Sequence, residues 1–144
     1  MKEFFQAVWD AEGRVRRLKR RKARFEDMAR SLGANLSGMP SNHNRTSKVE
    51  YAACELAQLQ TDLENELSEQ IHLISLATQI IKRIPASKHR QVLELRYIDG
   101  MPWADITKEM GYQDDRSVYK VHGAALLSAK QCVGGIEYHN NCVL

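Results

Sequence analysis

Residues 85–127 read PASKHRQVLELRYIDGMPWADITKEMGYQDDRSVYKVHGAALL. The stretch spells three short helices separated by glycine. Pro85 and Ser87 open the unit, and a first helix is expected over about Ala86–Ile98, with Val92, Leu93, Leu95 and Tyr97 inward. Asp99-Gly100 stops it, because glycine readily takes the left-handed backbone that ends a helix. Pro102 stands where a first helical residue is expected. A second helix then runs Trp103–Met110, with Trp103, Ile106 and Met110 on one face. Gly111 ends it, Tyr112, Gln113 and Asp114 form a turn, and a third helix extends from about Asp115 to Lys130. Val118, Val121, Ala125 and Leu126 are its inward positions. Two short helices joined by a glycine-containing turn, the second rich in exposed polar residues, have the pattern of a helix-turn-helix.

Working outward, the chain before Pro85 is periodic. Phe4, Val8, Ala11, Val15, Leu18, Lys22, Phe25, Ala29, Leu32 and Leu36 alternate spacings of four and three, a heptad seam interrupted at Lys22. Lys22 is read chiefly as snorkelling to the surface, with a register- or oligomer-specifying role as the alternative. The pattern fades near Gly33, and turn-forming residues fill a loop from about 35 to 47. Ser47 and Glu50 form a capping box, from which a second long helix is expected over about Lys48–Ile84. Its first half has a narrow seam, Val49, Ala52, Leu56, Leu59 and Leu63. Further on there are two stripes, Leu67, Ile71, Ile74, Ile81 and Leu73, Leu76, Ile80, Ile84. A helix with two stripes packs against two partners, here the first helix and the unit after Pro85.

The expected fold class is therefore all-α, a long antiparallel helical hairpin (a coiled-coil arm) followed by a tri-helical helix-turn-helix domain. The expected organisation is an arm over 1–84, a helix-turn-helix domain over 85–130, and a loose tail over 131–144. A domain of that size cannot bury a generous core alone, so the second stripe of the second helix is expected to complete it.

Composition agrees with a soluble helical protein: 144 residues, 43% hydrophobic, with 3 prolines and 8 glycines. The net charge of +3 fits nucleic-acid binding without requiring it. Residues 14–24 hold Arg14, Arg16, Arg17, Lys19, Arg20, Arg21, Lys22 and Arg24 and no acid, while residues 49–81 hold Glu50, Glu55, Asp62, Glu64, Glu66 and Glu69 and no Lys or Arg. Folding the arm about its loop sets the acidic block opposite the basic one. The basic run is read chiefly as a helix face neutralised in this way, and secondarily as a phosphate-binding arm. Cys54, Cys132 and Cys142 give no disulfide framework. The first residues are not a signal peptide, and no uncharged stretch is long enough to span a bilayer. Cys132, His139 and Cys142 lack the paired spacing of a zinc site, so no metal and no cofactor are expected. No catalytic constellation stands out, and the chain is not expected to be an enzyme.

In a helix-turn-helix the second helix enters the major groove with its N-terminal side chains at the base edges. Those are Gln113, Arg116, Ser117, Tyr119 and Lys120, with His122 one turn further. Lys88, Arg90 and Trp103 are the candidates for phosphate contact, Trp103 and Tyr97 being read also as core. Asp114 or Asp115 is expected to cap the helix.

The run 92–106, VLELRYIDGMPWADI, resembles region 4 of sigma-70-type transcription factors. With Met110-Gly111-Tyr112 and RSVYKVHGAAL over 116–126, the chain is similar to phage-borne sigma-like regulators, the ArpU/RinA-type late-gene activators. The resemblance covers residues 88–127 well and the arm loosely. Between Gly111 and Val118 this chain has one residue more than that family's turn, which would rotate the third helix relative to the second. The resemblance implies a sequence-specific DNA-binding regulator that activates phage or prophage genes in the bacterial host cytoplasm. Double-stranded DNA is then a partner, and host RNA polymerase or a second copy, paired through the arm, is a further one. Two alternatives are a DNA-packaging component of the small-terminase kind and a helical scaffold without DNA binding.

Overall fold

The computed structural model describes residues 1–34 and 43–133, with side chains for 1–31 and 48–133. Regular structure among the described residues is helical throughout: α1 (Lys2–Ala34), α2 (His43–Lys82), α3 (Ser87–Leu93), α4 (Trp103–Glu109) and α5 (Asp115–Cys132). None of these helices is long and apolar enough to cross a membrane. The α2 helix begins at His43, inside the expected loop, so Ser47 is a helical residue and not a cap. Cap-forming residue types stand at 41, 42, 44, 46 and 47, and sequence alone does not select among them. The rest of that loop, 35–42, and the tail beyond Val133 lie outside the described residues.

The chain forms two compact units. One comprises Met1–Trp9 and the chain from His72 onward; the other is Asp10–Ile71. The boundary expected at Pro85 thus falls inside the first unit.

The first unit is held by an apolar core. Ile80, Ile81 and Ile84 of α2 join Val92, Leu93, Tyr97, Ile106, Val118, Ala125, Ala129 and Val133, with Phe5 and Val8 of α1 among them. Both stripes of α2 thus feed this core, at Ile81 and at Ile80 and Ile84. The heptad seam singled out Phe4, but Phe5 is the fully buried phenylalanine and Phe4 packs at the margin. The expected tail begins too early: α5 continues to Cys132 and Val133 is buried, extending the 118, 125, 129 spacing by one more turn.

Local signals shape the connections. After α3 the helix widens over Glu94–Ile98, where the Asp99 N–H bonds the Glu94 carbonyl, five residues back, at 3.0 Å. Gly100, at φ 67°, then reverses the chain, and the Met101 N–H returns to the Leu95 carbonyl at 2.9 Å. Pro102 is the residue before α4, not its first helical residue, and its carbonyl accepts from Asp105 and Ile106. At the other end Gly111, at φ 72°, completes a Schellman motif: its N–H bonds the Lys108 carbonyl and that of Tyr112 bonds Thr107.

The second unit buries Ala11 and Val15 of α1 and Ala52, Leu59 and Leu63 of α2. Val49 and Ile71, placed on α2's stripes by periodicity, are 43% and 67% exposed. The cross-helix polar pairs are Arg14 with Glu66 at 2.7 Å and Glu69 at 3.0 Å, Lys22 with Gln60 at 2.6 Å, and Arg21 with Glu55 at 4.0 Å. Lys22 is half-buried. It brings its ammonium to the Gln60 amide oxygen from the seam.

Candidate nucleic-acid interface

Position along α5 sorts its side chains. Val118, Ala125 and Ala129 are fully buried. On the other side Arg116, Tyr119, Lys120, Gly123 and Leu127 are exposed, following the same 3- and 4-residue steps. Gln113, in the turn before the helix, is exposed as well, and Ser117 is half-exposed.

The start of α5 is fixed from two directions. Asp114 is its N-cap, and its carboxylate accepts the Ser117 N–H at 2.8 Å; hydrogen bonding from Ser117, through its side chain first and its backbone second, holds the carboxyl below its ordinary pKa. Thr107, the buried polar residue of α4, has its hydroxyl 2.6 Å from Asp115 Oδ1 and 2.8 Å from the Trp103 carbonyl. The single hydroxyl proton favours the carboxylate, because charge-assisted bonds are stronger. The two aspartates are thus committed to the α4–α5 junction, and the exposed bases follow immediately.

Beneath this face runs an aromatic series. Phe5 lies 4.8 Å from Tyr97 between ring centres, Tyr97 5.8 Å from His122, His122 4.9 Å from Trp103, and Trp103 5.0 Å from Tyr119. The last two contacts are edge-on, a favoured geometry. Arg96 lies between two indoles, 3.6 Å from the Trp9 ring centre and 4.6 Å from that of Trp103, and donates to the Met101 carbonyl at 2.9 Å. No motif marked Arg96 or Trp9 for this role; Trp9 comes from α1, far away in sequence.

Not all candidates gather on the exposed face. His122 turns inward, its Nε2 3.0 Å from the Tyr97 hydroxyl. Trp103 is engaged with Arg96, Tyr119 and His122. Arg90 donates to the carbonyls of Ile84 and Pro85 at 2.6 and 3.0 Å, closing the end of α2. Lys88 is exposed, 5.9 Å above the Tyr112 ring. Of the cysteines and histidine weighed as zinc ligands, Cys132 alone is described, and its thiol lies 3.5 Å from the Arg83 carbonyl.

Comparison with known protein families, curated proteins and solved structures gives no match to this chain.

Burial pushes the Tyr97 phenol up, partly offset by the Arg96 charge. Burial also holds the His122 imidazole below its ordinary value, and the charges of Arg96 and Lys2 act in the same direction. A protonated phenol against a neutral imidazole is satisfied when the Tyr97 O–H donates to Nε2. The sign of the pH effect follows. Above pH ~6.5 both folded and unfolded chains leave this ring neutral. Below it, the unfolded chain takes up a proton that the fold resists, so stability falls as pH falls towards the folded-state value. The melting temperature of the first unit is expected to be lower at pH about 5.5 than at about 7.5. His122→Gln is expected to flatten that difference. Thermal melts of both proteins at the two pH values check it; an undiminished difference in the variant would contradict the assignment.

Proposed function

We propose that the chain is a sequence-specific double-stranded DNA-binding regulator in which α4, the turn and α5 act as a helix-turn-helix. The observation that carries the reading is the face of α5: Arg116, Tyr119 and Lys120 stand exposed at its start, while Asp114 and Asp115 are drawn into cap and junction. An arginine there can grip guanine through two hydrogen bonds, and a lysine can hold phosphate. His122 and Trp103 take a supporting role in this reading, setting the pitch of α5 from beneath, and Gln113 and Ser117 remain at the rim. The turn holds three residues, Tyr112 to Asp114, between Gly111 and α5. In the second unit, Arg14 of α1 pairs with Glu66 and Glu69 of α2, and the later Arg21 and Lys22 with the earlier Glu55 and Gln60, the order expected of an antiparallel hairpin arm. The resemblance to phage sigma-like activators supports a role in switching on phage genes, with host RNA polymerase or a second copy as partner. In this reading the protein is not an enzyme.

Anisotropy titration against genomic fragments tests the proposal. Arg116→Ala is expected to cost about 1–3 kcal/mol of specific binding and to relax sequence preference. Lys120→Ala is expected to weaken binding to all sequences and to lower the salt slope by about 1. If the double variant bound a preferred fragment as tightly as wild type, α5 would not be the reader.

A further inference from the structure

The outer face of α1 in the second unit carries positive charge that the described residues leave unmatched. Over residues 14–24 the seam buries Val15 and half-buries Leu18 and Lys22. At about 100° per residue, Arg17, Arg20 and Arg24 fall on the opposite side, one turn above another, with Arg16 and Arg21 along the edges. All of these arginines are exposed.

The nearby acids are engaged elsewhere. Glu66 and Glu69 hold Arg14, Glu12 pairs with Arg16, Glu26 with Lys22, and Asp27 with Arg30. Glu55 lies at 4.0 Å from Arg21. Among the described residues, Arg17, Arg20 and Arg24 enter no ion pair. Like charges three and four apart destabilise a helix, and the face stacks Arg17 on Arg20 and Arg21, and Arg20 on Arg24. A merely solvated face is served as well by mixed charge. An external polyanion would match this one along its length. Arginine suits phosphate in particular, because its planar fork donates two parallel hydrogen bonds. Arg17 to Arg24 spans about 10 Å of helix, a length over which a duplex presents about six charges.

We propose that this stripe is a second, sequence-independent contact for the phosphate backbone of double-stranded DNA. It rests on the DNA-binding reading above for the identity of the polyanion, but its residues belong to a different unit from α5.

The test uses the full chain with Arg17→Gln, Arg20→Gln and Arg24→Gln combined. Glutamine is nearly as good a helix former as arginine, and circular dichroism checks that helicity is kept. Binding to a random-sequence duplex is followed by anisotropy across about 50–200 mM salt. The slope of log affinity against log salt is expected to fall by roughly 2–3, at about 0.9 per lost phosphate contact. A companion variant with Arg17→Lys, Arg20→Lys and Arg24→Lys keeps the charge and is expected to keep most of the slope. An unchanged slope in the glutamine variant overturns the stripe. So does polyglutamate competing as well as duplex DNA, which would indicate an acidic protein partner.

Comparison with Arg116→Ala/Lys120→Ala separates the two ideas. If that pair abolishes binding while the glutamine variant behaves as wild type, the stripe fails and α5 stands. If the glutamine variant abolishes binding while sequence preference survives the α5 pair, α5 fails and the stripe stands. A wild-type chain that binds no duplex overturns both.

Discussion

Phe5→Ala is expected to destabilise the first unit by about 3–5 kcal/mol, the range for removing a buried aromatic ring. Phe5 is 0% exposed and meets Tyr97 at 4.8 Å between ring centres. It lies in the first turns of α1, yet it is part of the core that includes Val118 and Ala125 of α5. Small domains are stable by about 5–15 kcal/mol, so the loss is a large share of the total. The protein's two tryptophans, Trp9 and Trp103, both lie in this unit, so tryptophan fluorescence reports on it selectively. Urea unfolding followed this way should show a midpoint moved well below wild type, with a smaller shift for Phe4→Ala at the margin. Equal shifts for the two would mean that the α1 terminus is not seated as described. The practical corollary is that a fragment beginning at Pro85 lacks Phe5, Val8, Ile80, Ile81 and Ile84 and is expected not to fold.

The second large effect is at Ile106. Ile106→Ala is expected to cost about 2–5 kcal/mol, from lost transfer energy plus the cavity left behind. The α4 helix has seven residues, and isolated helices shorter than about 12–15 residues are marginal in water. It is held by packing, and Ile106 is its fully buried apolar side chain. Thr107 beside it ties α4 to Asp115. Loosening Ile106 should therefore free the brace under α5. Hydrogen exchange of the α4 amides should rise together with the fall in the urea midpoint. Ile106→Val, which keeps the shape, is expected to cost about 0.5–1.5 kcal/mol. If Ile106→Ala matched a surface control such as Lys108→Ala, the core assignment would be wrong.

Much of the local architecture was legible in the chain. The glycines at 100 and 111 take the positive φ that their position after a helix demands. Asp114 caps α5, and the buried residues of α3, α4 and α5 include most of those marked by spacing. These signals act over three to six residues, where backbone sterics and capping chemistry leave few alternatives. The start of α2 was not legible, because several residues there could cap equally well. Of the candidate site, the exposed basic side chains of α5, Arg116 and Lys120, could be named in advance. The inward turn of His122 could not.

That difference sets the division between sequence and tertiary structure in this protein. The sequence by itself determined the helical character of the chain, the glycine turns at 100 and 111 and the Asp114 cap, since each depends on neighbours along the chain. Only the tertiary structure decided that Phe5 rather than Phe4 enters the core and that Val49 and Ile71 stay exposed. It also decided that Arg96 is bracketed by Trp9 and Trp103, and that His122 serves Tyr97 instead of facing outward. Each of those outcomes depends on which surface arrives from a distant part of the chain. A helical repeat states that a face is apolar, but it does not state what will cover it.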